Sequence, residues 1–339
     1  MFTWMWQHKR QIIGFMSVFV VVSLVLGYIV LSKSVGCCAI PPAYGQDDPF
    51  ALTGTLVFVS DFDYTGNFGA IATLNADGTD YQTLTDYFDE GELQQYRVNS
   101  PRWSADGEQI VFVASKFESN RLYLMNADGS DLTIVAESET GSYSSPSFSP
   151  TGEQVVYGFK DGEDIELYIL NLETQEALQI TDNDVHDSSP AWSPNGEWIA
   201  FNRGVEDDFE LFLMKPDGSE IKQLTDNDAR DVYPAWSPDG SQIAFMSDRD
   251  GDDGIYAMTI EDQETTHITT VKKMIPGRLT WSPDGEFIAY AALVPLENVD
   301  PDIIVHPTTA LYVVRIEDGQ SQLFPFGFSG WNGSPSWVE

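Results

Sequence analysis

PAWSPDGSQIAFMSDRDG, residues 234–251, contains the phrase on which the fold turns. Trp236 opens WSPDG (236–240), and near-copies recur as WSADG (103–107), FSPTG (148–152), WSPNG (192–196) and WSPDG (281–285). The steps between the aromatic anchors are 45, 44, 44 and 45 residues. A repeat of about 45 residues in strand-rich units marks a β-propeller, a ring of radially packed four-stranded blades.

Within one unit the order of elements is legible. Tyr233 to Trp236 predicts a short first strand, and Ser237-Pro238-Asp239-Gly240 supplies a turn with Pro second and Gly fourth. QIAFMS (242–247) is apolar on both faces, as a strand sandwiched between neighbouring blades must be. DRDGDD (248–253) predicts the next turn, GIYAMTI (254–260) the third strand and TTHITT (265–270) a polar, β-branched outer strand. IVFVAS, VVYGFK, IAFNRG and IAYAAL take the second-strand position in other units. Pro101, Pro146, Pro190 and Pro234 each precede an anchor by two residues. That spacing puts them at the start of first strands, where a missing N–H is tolerable.

The two ends complete the count. Gly54 to Thr85 holds three strands (TLVFVS, AIATLN, YQTLT) with no anchor before them, and Pro335 to Glu339 is a first strand with nothing after it. Joined, they predict a shared blade that leaves no long edge unpaired. The expected fold class is all-β: a six-bladed propeller over 54–339, closed by the C-terminal strand.

PAWSPDGSQIAFMSDRDG (234–251) and KPDGSEIKQLTDND (215–228) resemble the WD40-like repeats of TolB-type propellers, and the resemblance covers roughly residues 54–339. It implies the same propeller. The chain departs from TolB in having only about twenty residues between its hydrophobic segment and the first strand, where the small α/β domain of TolB would lie. Related propellers precede the hydrolase domain of prolyl oligopeptidase-type enzymes, and this chain stops where that domain would begin.

QIIGFMSVFVVVSLVLGYIVLS (11–32) carries no charge and is long enough to cross a bilayer as a helix. His8-Lys9-Arg10 precedes it, so the positive-inside rule puts residues 1–10 in the cytoplasm and the propeller outside. The alternatives are a cleaved signal peptide, with Ala43-Tyr44-Gly45 before the cut, and a lipoprotein at Gly36-Cys37. Residues 33–53 read as a short tether with Pro41, Pro42 and Gly45. Cys37 and Cys38 are the only cysteines, so no disulfide staples the propeller.

The net charge is −36, from 53 acidic and 17 basic residues. Nucleic acid is excluded as a partner, because its phosphates would be repelled. The charge fits either solubility or attraction of cations and basic partners.

Propeller geometry sorts the loops. The SPDG-type turns and the ADG or PDG turns share one face, and turn chemistry alone explains them. The other face takes the blade-to-blade connections and the turns between second and third strands, where acids cluster. The candidate partner-binding residues are Asp184 and Asp187 in TDNDVHD (181–187), Asp228 and Asp231 in TDNDARD (225–231), and Lys272, Lys273, Arg278 and His306. His306 lies in Leu293 to Thr309, the longest insertion, and long loops in compact folds tend to be functional. Asp248, Asp250, Asp252 and Asp253 form a candidate Ca²⁺ loop, although its glycine falls one place late and no glutamate closes it.

No GxSxG, HExxH or P-loop is present, and the propeller has only His186, His267 and His306. The expected function is a non-catalytic, membrane-tethered, monomeric platform for a protein or peptide of the cell envelope, with no cofactor beyond a possible Ca²⁺. The alternative is a propeller lyase or hydrolase acting on glycans or peptides, with a metal at the acidic channel mouth.

Overall fold

The structure, a computed structural model, describes residues 50–60, 69–85, 96–116, 119–205, 208–271, 279–293, 309–324 and 332–339. The expected tail (1–10), membrane helix (11–32) and all of the tether up to residue 49 lie outside the described residues. Among the described residues no helix is long and apolar enough to cross a membrane.

Six four-stranded antiparallel sheets make the propeller. Blade 1 contains β1 (Thr55–Ser60), β2 (Ala70–Asn75) and β3 (Gln82–Thr83). Blade 2 follows as β4 (Arg97–Trp103), β5 (Gln109–Lys116), β6 (Ser119–Asn126) and β7 (Thr133–Ser138). Blade 3 is β8 (Ser142–Phe148), β9 (Gln154–Lys160), β10 (Ile165–Asn171) and β11 (Ala177–Gln179). Blade 4 is β12 (His186–Trp192), β13 (Ile199–Val205), β14 (Asp208–Met214) and β15 (Lys222–Gln223). Blade 5 is β16 (Val232–Trp236), β17 (Gln242–Ser247), β18 (Gly254–Thr259) and β19 (Thr265–Thr270). Blade 6 is β20 (Thr280–Trp281), β21 (Phe287–Leu293), β22 (Thr309–Arg315) and β23 (Ser321–Leu323). The last strand, β24 (Asn332–Val338), pairs with β1 and sets Leu56 opposite Trp337.

The core sits between blades. Second strands such as β17 bury both faces: Ile243 and Phe245 pack towards blade 4, Ala244 and Met246 towards blade 6. The anchors link successive inner strands. Trp236 Nε1 donates to Ala191 O and Trp281 Nε1 to Ala235 O, both at 3.0 Å. The SPDG phrase is a hydrogen-bonded unit. Ser237 Oγ donates to Asp239 Oδ1 (2.7 Å) and accepts from Gln242 N–H (2.9 Å), while Gly240, at φ 71°, closes the turn onto Ser237 O (2.9 Å).

One expectation needs correcting. The prolines do not begin the inner strands. β4, β8 and β12 start four residues before theirs, and each proline follows a residue in the left-handed region. Ser100, Ser145, Ser189, Tyr233 and Ser334 hold φ between 52° and 59°. The strand register slips at the same place in each, for example between Asn99 and Arg102. These are β-bulges, where an extra residue leaves the ladder and the proline's missing N–H costs no pairing.

Deleting Ser334 to Glu339 removes most of β24 and bares the edge of β1. The truncated chain should aggregate or lose its cooperative thermal transition. A melt by circular dichroism matching that of the intact chain would show that β24 contributes nothing to the ring.

Candidate functional site

Two neighbouring connections, 181–187 and 225–231, fold in the same way. Leu167 N–H donates to Thr181 Oγ1 (2.8 Å) and Leu211 N–H to Thr225 Oγ1 (2.9 Å), tying each connection to the blade it leaves. Asn183 N–H donates to Glu166 Oε1 (2.8 Å) and Asn227 N–H to Glu210 Oε1 (2.5 Å). Each asparagine's Nδ2 then donates to the aspartate four residues on, Asp187 or Asp231, at 2.8 Å.

Those two aspartates are fully buried and ion-paired. Arg203 Nε and Nη2 both reach Asp187 at 2.7 Å, and Arg249 Nη2 reaches Asp231 at 2.8 Å. Aromatic rings support the arginines. The Arg203 guanidinium lies 5.4 and 5.3 Å from the ring centres of Phe201 and Phe212, and that of Arg249 lies 5.1 and 4.8 Å from those of Phe245 and Tyr256. Burial pushes the Glu166 and Glu210 carboxyls above the usual range, and the charges of Asp187 and Asp231 add to the rise. The Thr181 and Thr225 hydroxyls and the Asn183 and Asn227 amides oppose it.

The four candidate aspartates therefore divide. Asp184 and Asp228 are exposed on the predicted face. Asp187 lies inside β12 opposite Arg203, and Asp231 is buried just before β16, so neither presents its carboxylate to a partner. That corrects the expectation for these two residues. Their charge goes into holding the connection onto its own blade.

In the 248–253 turn, Asp248 accepts Arg230 N–H and Asp250 accepts the Tyr256 hydroxyl, at 2.8 and 2.7 Å, and Arg230 Nη2 lies 3.8 Å from Asp253. Among the described residues no group of three or more His, Cys, Asp or Glu is arranged to hold a metal. Lys272, Lys273, Arg278 and His306 lie outside the described residues. His186 Nδ1 accepts Ile165 N–H at 3.2 Å, and its ring stacks 6.5 Å from that of Phe209. On the outer strand β19, His267 packs edge-on to Tyr256 at 5.0 Å.

A groove of about 620 Å³ opens beside the second connection. Leu224 and Met258 give it an apolar floor, and Asp226, Asp228 and Asp248 line it as exposed acids.

The TolB β-propeller domain model matches residues 53–205 and 128–303. The chain belongs to the TolB β-propeller domain family. Among solved structures it is similar to TolB from Acinetobacter baumannii, with TM-score 0.69 and 17% identity over 84% of this chain. It spans 66% of that protein's length. A chain of a nidogen/laminin complex aligns with TM-score 0.65 and 9% identity over 84% of this chain and 99% of its own. An oligogalacturonate lyase from Vibrio parahaemolyticus aligns with TM-score 0.54 and 18% identity, over 80% of this chain and 74% of its own. At such identities these likenesses establish the fold alone. Among curated proteins, none matches the sequence.

Sequence reasoning missed Glu166, Glu210, Arg203 and Arg249. A signal was present for the glutamates: each stands 15 residues before the threonine of a TDND phrase. The arginines carried none, since one comes from a strand and the other from a turn.

Asp187→Ala and Asp231→Ala should each cost about 3 kcal/mol, because each leaves an arginine without its buried partner. Asp184→Ala and Asp228→Ala should stay within about 0.5 kcal/mol of the parent. Urea unfolding at neutral pH measures both pairs, and equal costs would overturn the division.

Glu166 and Glu210 titrate higher in the fold than in the unfolded chain. Their contribution to stability is full below the ordinary glutamate value of 4.5 and is lost as pH rises through the folded value. The Glu166→Gln, Glu210→Gln double variant should therefore lose less stability than the parent between pH 4.5 and neutrality. Urea midpoints across that range would show parallel curves if burial of these carboxyls did not matter.

Proposed function

We propose that the chain is a non-catalytic docking platform: a ring closed through β24, tethered by residues 11–32 and held outside the cytoplasmic membrane. It works as a monomer, and its partner is a basic protein or peptide segment of the cell envelope. The groove beside 225–231 carries this reading. Its apolar floor suits a side chain, and its exposed acids suit lysine or arginine beside that side chain. Among the described residues, several other polar groups on this face are already committed. Asp187 and Asp231 are neutralised within their blades, and His186 Nδ1 is occupied by a backbone N–H. The exposed negative charge of Asp226, Asp228 and Asp248 steers association. Membership of the TolB β-propeller domain family and a fold shared with a chain of a nidogen/laminin complex support a docking role.

The test uses the full chain in detergent against the partner it captures from envelope extract. Asp226→Asn, Asp228→Asn and Asp248→Asn together should slow association about tenfold at low salt, and the difference should shrink as salt screens exposed charge. Asp239→Asn and Asp284→Asn, in SPDG turns on the opposite face, serve as the control and should leave the rate unchanged. Slowing by the control pair alone would move the docking site to the other face. Salt-insensitive binding would end the electrostatic reading.

A further inference from the structure

Arg102 is the odd residue of the inner ring. It occupies the position before the anchor, which Ser147, Ala191, Ala235, Thr280 and Ser336 hold in the other blades. Its side chain is drawn inside, with the residue 8% exposed. Arg102 Nη1 donates only to carbonyls: Pro335 O at 2.6 Å, Pro101 O at 3.0 Å and Ser334 O at 3.4 Å. Burial pulls its pKa down to about 9, so the guanidinium remains charged at neutral pH. Carbonyl dipoles leave a buried charge only partly compensated, and such a charge is costly without an anion.

A second observation points to the same strand junction. Among the described residues, Arg102 Nη2 and Trp103 Nε1 are buried and meet no acceptor. In blades 5 and 6 the corresponding indole N–H groups of Trp236 and Trp281 donate to the preceding inner strand. At the junction of blades 1 and 2 the preceding strand is β24. Trp103 N–H reaches its Ser336 Oγ at 3.2 Å, yet the indole goes unanswered. Two adjacent residues thus each bring a buried, unpartnered donor to one seam, and one of them is a cation. Among the described residues, the bonds of its guanidinium go to backbone carbonyls and to no acidic side chain.

We propose that the seam between β4 and β24 binds a carboxylate, held by Arg102 with Trp103 as second donor. A carboxylate has lone pairs for both N–H groups and supplies the missing charge. The site is separate from the acidic groove between blades 4 and 5, so either can fail without the other. The carboxylate can be a free small acid or the C-terminus of a peptide.

The full chain in detergent is melted with increasing formate, ionic strength being matched by fluoride. Formate should raise the melting temperature of the parent saturably, half-maximally on the order of millimolar, since a ligand binding only the folded state stabilises it. Arg102→Gln should abolish the response. As a readout that does not depend on the variant folding, formate should shift the Trp103 indole N–H resonance of the parent chain. Acetyl-triglycine and its amide separate the sources. A response to formate alone indicates a free acid, and an added response to the peptide acid but not its amide indicates a terminus. The proposal is overturned if the Trp103 resonance and the melting temperature ignore formate, or if a folded Arg102→Gln responds like the parent.

Discussion

A sheet that is apolar on both faces cannot stand alone, and this constraint organises the molecule. β5, β9, β13, β17 and β21 have no solvent side, so each blade needs two neighbours. The need passes from blade to blade and is met only around a ring. The outer strands, by contrast, have little to bury. β3 and β15 are two residues long and exposed, which keeps the rim poor in pairing edges. At the centre, Trp236 and Trp281 join neighbouring inner strands by indole N–H bonds, and Trp192 N–H reaches Ser147 Oγ of the preceding one (3.2 Å). The same interactions that bury the apolar faces therefore set the spacing of the blades.

Charge is spent against that background. With 17 basic residues facing 53 acids, an arginine is a scarce counter-ion. Arg203 and Arg249 are placed on fully buried aspartates, where an unpaired carboxylate would cost most, and the acids on the groove stay exposed in water. An acidic stretch such as TDNDARD is thus two things at once. Asn227 and Asp231 lock the loop to the blade, while Asp226 and Asp228 carry its field outward. The first role depends on rigid geometry and the second on charge alone.

The difference explains what could be read from the sequence. The blade count and the strand segments were legible because period, alternation and turn chemistry are local. QIAFMS and TTHITT coincide with β17 and β19. The bulges at Ser100, Ser145 and Ser189 were not legible, since a proline two residues before an anchor fits a strand start as well as a bulge. For the candidate face, the sequence named the loops and could not separate Asp184 from Asp187. Three positions along a loop decide between solvent and a strand facing Arg203, and that register is set by pairing with β13.

A repeat also provides its own reference. At the residue that opens β21, Phe287 stands where β5, β9 and β17 have Gln109, Gln154 and Gln242. Phe50 packs against it with the rings tilted and their centres 5.1 Å apart, and the Arg315 guanidinium lies 5.0 Å from the centre of the Phe50 ring. The departure from the repeat is explained by the segment entering blade 1. Trp198 departs at the same position in blade 4, and Lys215 and Lys222 lie over its ring at 4.0 and 4.1 Å. That substitution is answered inside its own blade. Arg102 departs as well, and its departure is answered only by carbonyls. Where shared geometry demands the same residue of every blade, an exception that local packing satisfies is structural. An exception that leaves buried donors over is the one that asks for a ligand.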